Sequence, residues 1–401
     1  MTINVLDEMR SRGVPVDKQY RSWSDFTIEP YNKREVDTFT RSRIYLMGAI
    51  ESGVIDHSNT FLRFTGNEEI RNTLAMIRRA EHQQEVALNY LIPGDESPLE
   101  RTIAWEQMMV ELTAYCARSE SDPYIKQVFN YILLDDFDHL YRFCELMDLV
   151  ERRDPNEILQ YRTEIHWGRA TSEGHHFPTD DIKQGCSRRS MSPLTTFHIL
   201  TLLNAKRRKR DFYVNQGNQY THNLSRQVYS EIAEIEEQHL TMLTSLCDPT
   251  TTFFELELLN HACEAFNYYN FGQDETDPRI RRVWNDHYYM ELEHMRIMGE
   301  FLQRFEGKAA TDVISSHFPE AIRFTSNKDY ISWVLGTQVG LRSVGHDFVS
   351  RENVPSDWLS NYYSGVVNAK GCPCEQVVHT DLNLPRHRFD LSERAGVLAW
   401  V

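Results

Sequence analysis

Positive charge is scarce in this 401-residue chain: 43 Lys and Arg stand against 59 Asp and Glu, for a formal net charge of -16 at pH 7. Phosphate contacts need a basic surface, so the balance argues against nucleic-acid binding. It argues equally against an anionic membrane surface. Long apolar runs are missing too. None approaches the roughly 18 residues that a membrane span needs, and the opening MTINVLDEMRSRG has no apolar core of the signal-peptide kind. Cysteine is sparse. The seven cysteines, at 116, 144, 186, 247, 263, 372 and 374, are odd in number and scattered, which suggests no disulfide framework. A cytoplasmic, reducing compartment is the expectation. Cys372-Pro-Cys374 is a CxC pair rather than CxxC and makes a weak metal or redox motif.

What is present is ordinary globular composition, 41% apolar and 25% charged, in a chain long enough for two domains plus extensions. The chain also repeats itself. Asp122-Pro123 through His139 lies against Asp277-Pro278 through His294, with six of 18 positions identical and others conservative, at an offset of 155 residues. The same offset, without a gap, lays Ile77-Arg-Arg-Ala-Glu81-His-Gln-Gln84 on Ile232-Ala-Glu-Ile-Glu236-Glu-Gln-His239. Two segments agreeing on one offset indicate a duplication, with halves near 37–150 and 192–305.

Each half reads as four helices. Asp37 is positioned to cap the first, Asn67 opens the second, Ser97-Pro98 the third and Asp122-Pro123 the fourth. Ile44, Met47, Leu74, Ile77, Leu88, Phe129, Ile132 and Leu140 recur at three- and four-residue steps, as one buried helix face requires. Short connections make neighbouring helices antiparallel. The expected fold is all-α: an N-terminal arm (1–36), two tandem four-helix bundles (37–150 and 192–305) joined by a linker (151–191), and a C-terminal extension (306–401). The extension is expected to hold one helix around 328–350, followed by loop-rich sequence.

A di-metal carboxylate site in a four-helix bundle takes one Glu from each of two helices and Glu-x-x-His from the other two. Residues three apart share a helix face, so a carboxylate can bridge two ions while the imidazole terminates one. The first half offers Glu51, Glu81, Glu106 and Asp136-x-x-His139. Glu51 to Glu81 and Glu106 to Asp136 are both 30 residues apart, so two antiparallel hairpins of equal arm length would bring the four acids to one level. Like charges there would repel without a cation. The departure is Gln84, where a second histidine is expected. The second half offers Glu236-x-x-His239 and His287-x-x-x-Glu291-x-x-His294, with His261 at the repeat position of Glu106 and Glu257 and Glu264 a turn away. Lys206 stands at the position of Glu51, within Lys206-Arg-Arg-Lys-Arg210. A buried ammonium beside two glutamates could replace one metal by a salt bridge. The rest of that basic run reads as a solvated or interface face.

These residues resemble the ferritin-like superfamily of diiron and dimanganese carboxylate proteins, in two copies. His287, Glu291 and His294 are also similar to the His-x-x-x-Glu-x-x-His helix of the arylamine N-oxygenases, in which the extra histidine is a further iron ligand. The first half has Ile132 at that position. Rubrerythrins add a paired CxxC knuckle that is absent here, and simple ferritins are single bundles that form cages. The resemblance implies two iron or manganese ions, in one bundle or both, and an oxidoreductase acting with dioxygen or peroxide on a small-molecule substrate; a homodimer is the assembly considered. It does not name that substrate. Two other readings compete: a metal-free or single-metal helical scaffold, motivated by Gln84 and Lys206, and iron storage or detoxification, for which no acidic access channel is legible.

Overall fold

The computed structural model describes residues 3–166, 168–188 and 190–382. Its described part is mostly helical, with one two-stranded sheet. Short helices α1 (Val5–Ser11) and α2 (Trp23–Phe26) precede α3 (Thr38–Phe64), α4 (Glu68–Tyr90), α5 (Pro98–Ser119) and α6 (Pro123–Glu151). The connection holds α7 (Asn156–Leu159) and α8 (Thr171–Gly174). Then come α9 (Pro193–Gly217), α10 (Asn223–Leu246), α11 (Phe253–Asp274) and α12 (Pro278–Glu306). No helix among the described residues is long and apolar enough to cross a membrane.

The duplication is visible in the helix starts: Thr38 and Pro193, Glu68 and Asn223, Pro98 and Phe253, Pro123 and Pro278 are each 155 residues apart. Local chemistry sets these starts. Asp37 accepts from the backbone N–H of Phe39 and Thr40, Asn67 from that of Ile70, and Asp122 and Asp277 cap helices whose first residue is proline. Ser97 with Glu100, and their repeat counterparts Thr252 with Glu255, form capping boxes. Gly307, at φ 69°, closes α12 in the left-handed conformation that glycine adopts without strain. All eight apolar positions expected to line the buried faces are buried, each stabilising the fold by about 1.5–3 kcal/mol.

The pairing of these helices departs from the expected tandem order. The chain divides into two compact units that interleave along the sequence. Unit 1 draws on Met1–Gly94, Ser187–Ala205 and Asp248–Arg323, and unit 2 on Asp95–Cys186, Lys206–Cys247 and Phe324–Val401. In unit 1, α3 packs on α4, α11 on α12 and α3 on α11; in unit 2, α5 packs on α6, and α6 on α10. The sequential stretches 37–150 and 192–305 are therefore not the compact units. Unit 1 joins the first hairpin of the first repeat to the second hairpin of the second, and unit 2 joins the second hairpin of the first repeat to α10 and the part of α9 from Lys206 onward. Because the repeats carry equivalent apolar faces, either hairpin offers the same kind of surface to bury, the relationship from which swapped elements arise.

The described residues of the arm and of the extension hold regular elements. Gln19 in the arm is buried within unit 1. The helix expected around 328–350 ends early: α13 (Lys328–Gln338) is followed by a hairpin of β1 (Leu341–Val344) and β2 (Asp347–Ser350). Its two-residue turn begins at Gly345, whose φ of 55° suits a tight hairpin connection. Helices α14 (Leu359–Val367) and α15 (Pro373–Leu382) then follow, where loop-rich sequence is expected. Residues 383–401 of the extension lie outside the described residues.

Candidate metal centre

In unit 1 four helices send side chains to one buried point. Glu51 comes from α3, Glu81 and Gln84 from α4, His261, Glu264 and Tyr268 from α11, and His287, Glu291 and His294 from α12. The seven acids and histidines among them are fully buried. Glu81, His261, Glu291 and His294 bring ligand atoms within 4.8 Å of one another. His261 Nδ1 lies 3.0 Å from Glu291 Oε2, 3.2 Å from Glu264 Oε2 and 3.3 Å from Glu81 Oε1. Glu51 Oε1 accepts from the Tyr268 hydroxyl and, at 3.3 Å, from Gln84 Nε2, which also donates to Glu291 Oε1 at 2.8 Å.

Two features of this cluster fit a cation. First, Glu51 Oε2, both oxygens of Glu81, Glu264 Oε1, Gln84 Oε1 and His261 Nε2 are buried without a hydrogen bond, although buried acceptors are ordinarily satisfied. Among the described residues, no Lys or Arg forms an ion pair or hydrogen bond with any of the four glutamates. Second, His294 is oriented. Gln19 Nε2 donates to the carbonyl oxygens of Val14 (2.7 Å) and Met290 (3.4 Å), which turns Gln19 Oε1 toward His294 Nε2 at 2.8 Å. With its Nε2–H so engaged, His294 presents Nδ1 to Glu291 Oε2 at 3.0 Å. At that distance Nδ1 and the carboxylate oxygen need a proton or a metal ion between them.

The electrostatics say the same. Burial, then the charge of Glu291, raises the Glu51 carboxyl well above its ordinary range. Burial raises Glu264 likewise, again with Glu291 next. Glu81 is pushed up to about 7 by burial, with His261 opposing. His261, despite burial, is pushed up to about 9 by its hydrogen bond to Glu291 and the charge of Glu81. Without a cation, Glu51 and Glu264 therefore keep their protons, whereas a divalent ion would favour the charged carboxylates. His287 stands apart: its Nδ1 is 3.1 Å from the Tyr268 hydroxyl, and burial lowers it to about 3. It is not among the four residues whose ligand atoms converge.

In unit 2, Glu106, Asp136 and His139 form one close group and Asp136, Glu236 and His239 another. Here cations are supplied by α9. Lys206 Nζ pairs with Asp136 Oδ1, with Glu236 Oε2 at 3.1 Å and with His239 Nδ1 at 3.1 Å. Lys209 Nζ meets Glu106 Oε2 at 2.6 Å, Glu236 Oε1 at 2.9 Å and Asp136 Oδ1 at 3.3 Å. Both lysines are fully buried. Burial raises Glu236 and Asp136, but the two ammonium groups outweigh it and hold both carboxyls below their ordinary range. Glu106 stays near 7, raised by burial and lowered by Lys209. His139 Nδ1 is 3.0 Å from Glu236 Oε1, and burial brings it to about 4.

The single constellation of Glu51, Glu81, Glu106 and Asp136 therefore does not form. Glu51 and Glu81 meet His261, Glu264, Glu291 and His294; Glu106, Asp136 and His139 meet Glu236 and His239. Glu264 was legible as the residue three after His261, and Lys209 as the residue three after Lys206, on the same helix faces. Nothing in the sequence marks Gln19. Cys372 and Cys374 bind neither cluster: the Cys372 thiol donates to Glu231 Oε1 at 3.1 Å and the Cys374 N–H to Glu231 Oε2 at 2.8 Å. Burial pushes the Cys372 thiol up to about 12 and raises Cys374 well above its ordinary value, so both are thiols rather than nucleophiles. His175 stands 3.3 Å from the same glutamate, and His176 bonds to Tyr131 and Asp181. Comparison with protein-family models, with curated proteins and with solved structures finds no match for this chain.

Proposed function

We propose that α3, α4, α11 and α12 form a ferritin-like four-helix bundle holding two iron or manganese ions, and that the chain is an oxidoreductase using dioxygen or peroxide on a small-molecule substrate. The observation that carries this reading is the contrast between two compact units assembled from the same duplicated helices. Unit 2 neutralises its buried acids with two lysines. Among the described residues, unit 1 keeps four glutamates and two histidines with no lysine or arginine paired to them, the charge of Arg78 reaching Glu81 without an ion-pair contact. Glu51, Glu81, Glu264 and Glu291 are the carboxylates that would hold the ions, with His261 and His294 as nitrogen donors. Mixed carboxylate and imidazole sites suit redox-active first-row metals. Bound there, such ions would supply electrons to an oxygen substrate. Gln19 fixes which nitrogen of His294 faces the carboxylates, and Tyr268, donating to Glu51, restrains that carboxylate. Full burial keeps bulk water from these groups.

Anaerobic titration with ferrous iron tests the reading. Close to two equivalents per chain, lost in Glu51→Ala and Glu291→Ala, are expected; fewer than one in the parent protein would sink it. For unit 2 the second reading, a metal-free helical scaffold, is favoured by the lysines that fill its centre.

A further inference from the structure

Lys206 and Lys209 do more than sit near acids. Asp136 Oδ1 contacts both ammonium groups, and Glu236 contacts both with its two oxygens, Oε2 to Lys206 at 3.1 Å and Oε1 to Lys209 at 2.9 Å. Glu106 meets Lys209 alone and His239 Nδ1 meets Lys206 alone. Two carboxylates thus bridge two cations, and a third carboxylate and an imidazole each terminate one. That is the connectivity of a dinuclear metal site with ammonium nitrogens at the cation positions.

The surroundings of a metal ligand also persist. His239 Nε2 lies 3.1 Å from Asp135 Oδ2, and Asp135 is held by Arg169 Nε at 3.0 Å. A carboxylate behind an imidazole that presents its other nitrogen to a cation is how ligating histidines are oriented. His139 Nε2, fully buried, has no hydrogen-bond partner. Lys206 and Lys209 occupy the repeat positions of Glu51 and Val54. Placing glutamate at 206 therefore completes a set in unit 2 of one Glu from each of two helices and acid-x-x-His from the other two: position 206 with Glu106, Glu236-x-x-His239 and Asp136-x-x-His139.

We infer that unit 2 contains a latent two-metal site for divalent first-row ions, closed by the ammonium groups of Lys206 and Lys209. Each lysine is a built-in counter-cation, so this half of the protein is complete without metal. The inference stands independently of the reading of unit 1, because it is measured as ions gained over the parent protein.

The test is metal stoichiometry, by elemental analysis after equilibration with Mn(II) and desalting, of the full chain and of Lys206→Glu/Lys209→Val. The double variant is expected to carry two Mn(II) ions more than the parent, and to recover on Mn(II) addition the thermal stability it loses without it. Lys206→Gln, which keeps a hydrogen-bond donor while vacating one cation position, covers the case in which the double variant fails to fold; it is expected to gain one ion. Glu236→Ala added to either variant should abolish the gain. A folded Lys206→Gln protein, or a folded double variant, that carries no more Mn(II) than the parent overturns the inference. A parent that binds no metal alongside a double variant that binds two would defeat the reading of unit 1 and leave this one standing.

Discussion

Gln84 Nε2 donates to Glu291 Oε1 across 2.8 Å, so a residue of the first repeat meets a residue of the second inside one compact unit. The second hairpin of that unit comes from the second repeat. The composition of the buried cluster follows from this pairing: Glu51 and Glu81 take their partners from α11 and α12, rather than from α5 and α6, which follow them in sequence.

Substitutions should therefore separate the two clusters. Glu291→Ala is expected to remove metal binding, measured by titration with Mn(II) or ferrous iron. Asp136→Ala should leave the metal count unchanged and instead lower stability by about 3–5 kcal/mol, because it strands buried ammonium groups without a bridging partner. Chemical denaturation of the metal-free protein reads that loss. Equal loss of metal in both variants would mean that the clusters do not act separately.

Gln19 is the second point of attack. It lies in the arm, accepts the His294 Nε2 proton at 2.8 Å and has its amide pinned by two carbonyls. Gln19→Leu removes the acceptor and is expected to weaken metal affinity 10- to 100-fold, while Gln19→Glu, which keeps an acceptor, should retain it. Unchanged affinity in Gln19→Leu would show that His294 needs no such restraint.

Unit 2 contains a carboxyl whose ionisation costs stability. Glu111 accepts from Thr163 Oγ1 at 2.6 Å and Asn327 Nδ2 at 2.8 Å, yet burial outweighs these bonds and pushes it up to about 6. A carboxyl raised in the folded state binds its proton more tightly than in the unfolded chain. Its contribution is fully present below the unfolded value and is lost as pH rises through about 6. The loss is on the order of 2 kcal/mol. Glu111→Gln should flatten the pH dependence of unfolding free energy between about pH 4 and 7, the fall across that window being smaller than the parent's by on the order of 2 kcal/mol. Parallel curves would contradict this.

Close packing gives a further test. A Cβ built on Gly168 would stand 2.6 Å from the backbone nitrogen of Asp138 and 2.8 Å from its Cα. A helix backbone cannot give way as a side-chain tip can, so Gly168→Ala should destabilise by about 1–3 kcal/mol. A thermal midpoint equal to the parent's would show that this loop yields.

Much of the helical framework is legible from local chemistry. Asp37, Asn67, Ser97 and Asp122 fix helix starts through backbone hydrogen bonds that involve only neighbouring residues. Which hairpins share a unit is not local. Apolar periodicity fixes the buried face of Leu74 or Ile132 but not the helix it meets, and a duplication supplies two equivalent candidates. The same ambiguity explains why Glu51, Glu81, Glu106 and Asp136 look like one site when their positions are read in chain order. Lys209 looks like part of a solvated basic run because charge alone does not reveal burial; its spacing from Lys206 does place it on the same face. The hairpin at 341–350 is not legible in the sequence because its strands are only four residues each, too short for alternation to outweigh a continuing helix.

The most direct measurement is metal content together with anomalous scattering from crystals of protein purified without exposure to affinity metals. The account predicts two ions within unit 1, among Glu51, Glu81, Glu264, Glu291, His261 and His294, and none among Glu106, Asp136 and Glu236. Ions in unit 2 with Lys206 and Lys209 displaced, or no ion in unit 1 after anaerobic reconstitution with ferrous iron, would contradict it.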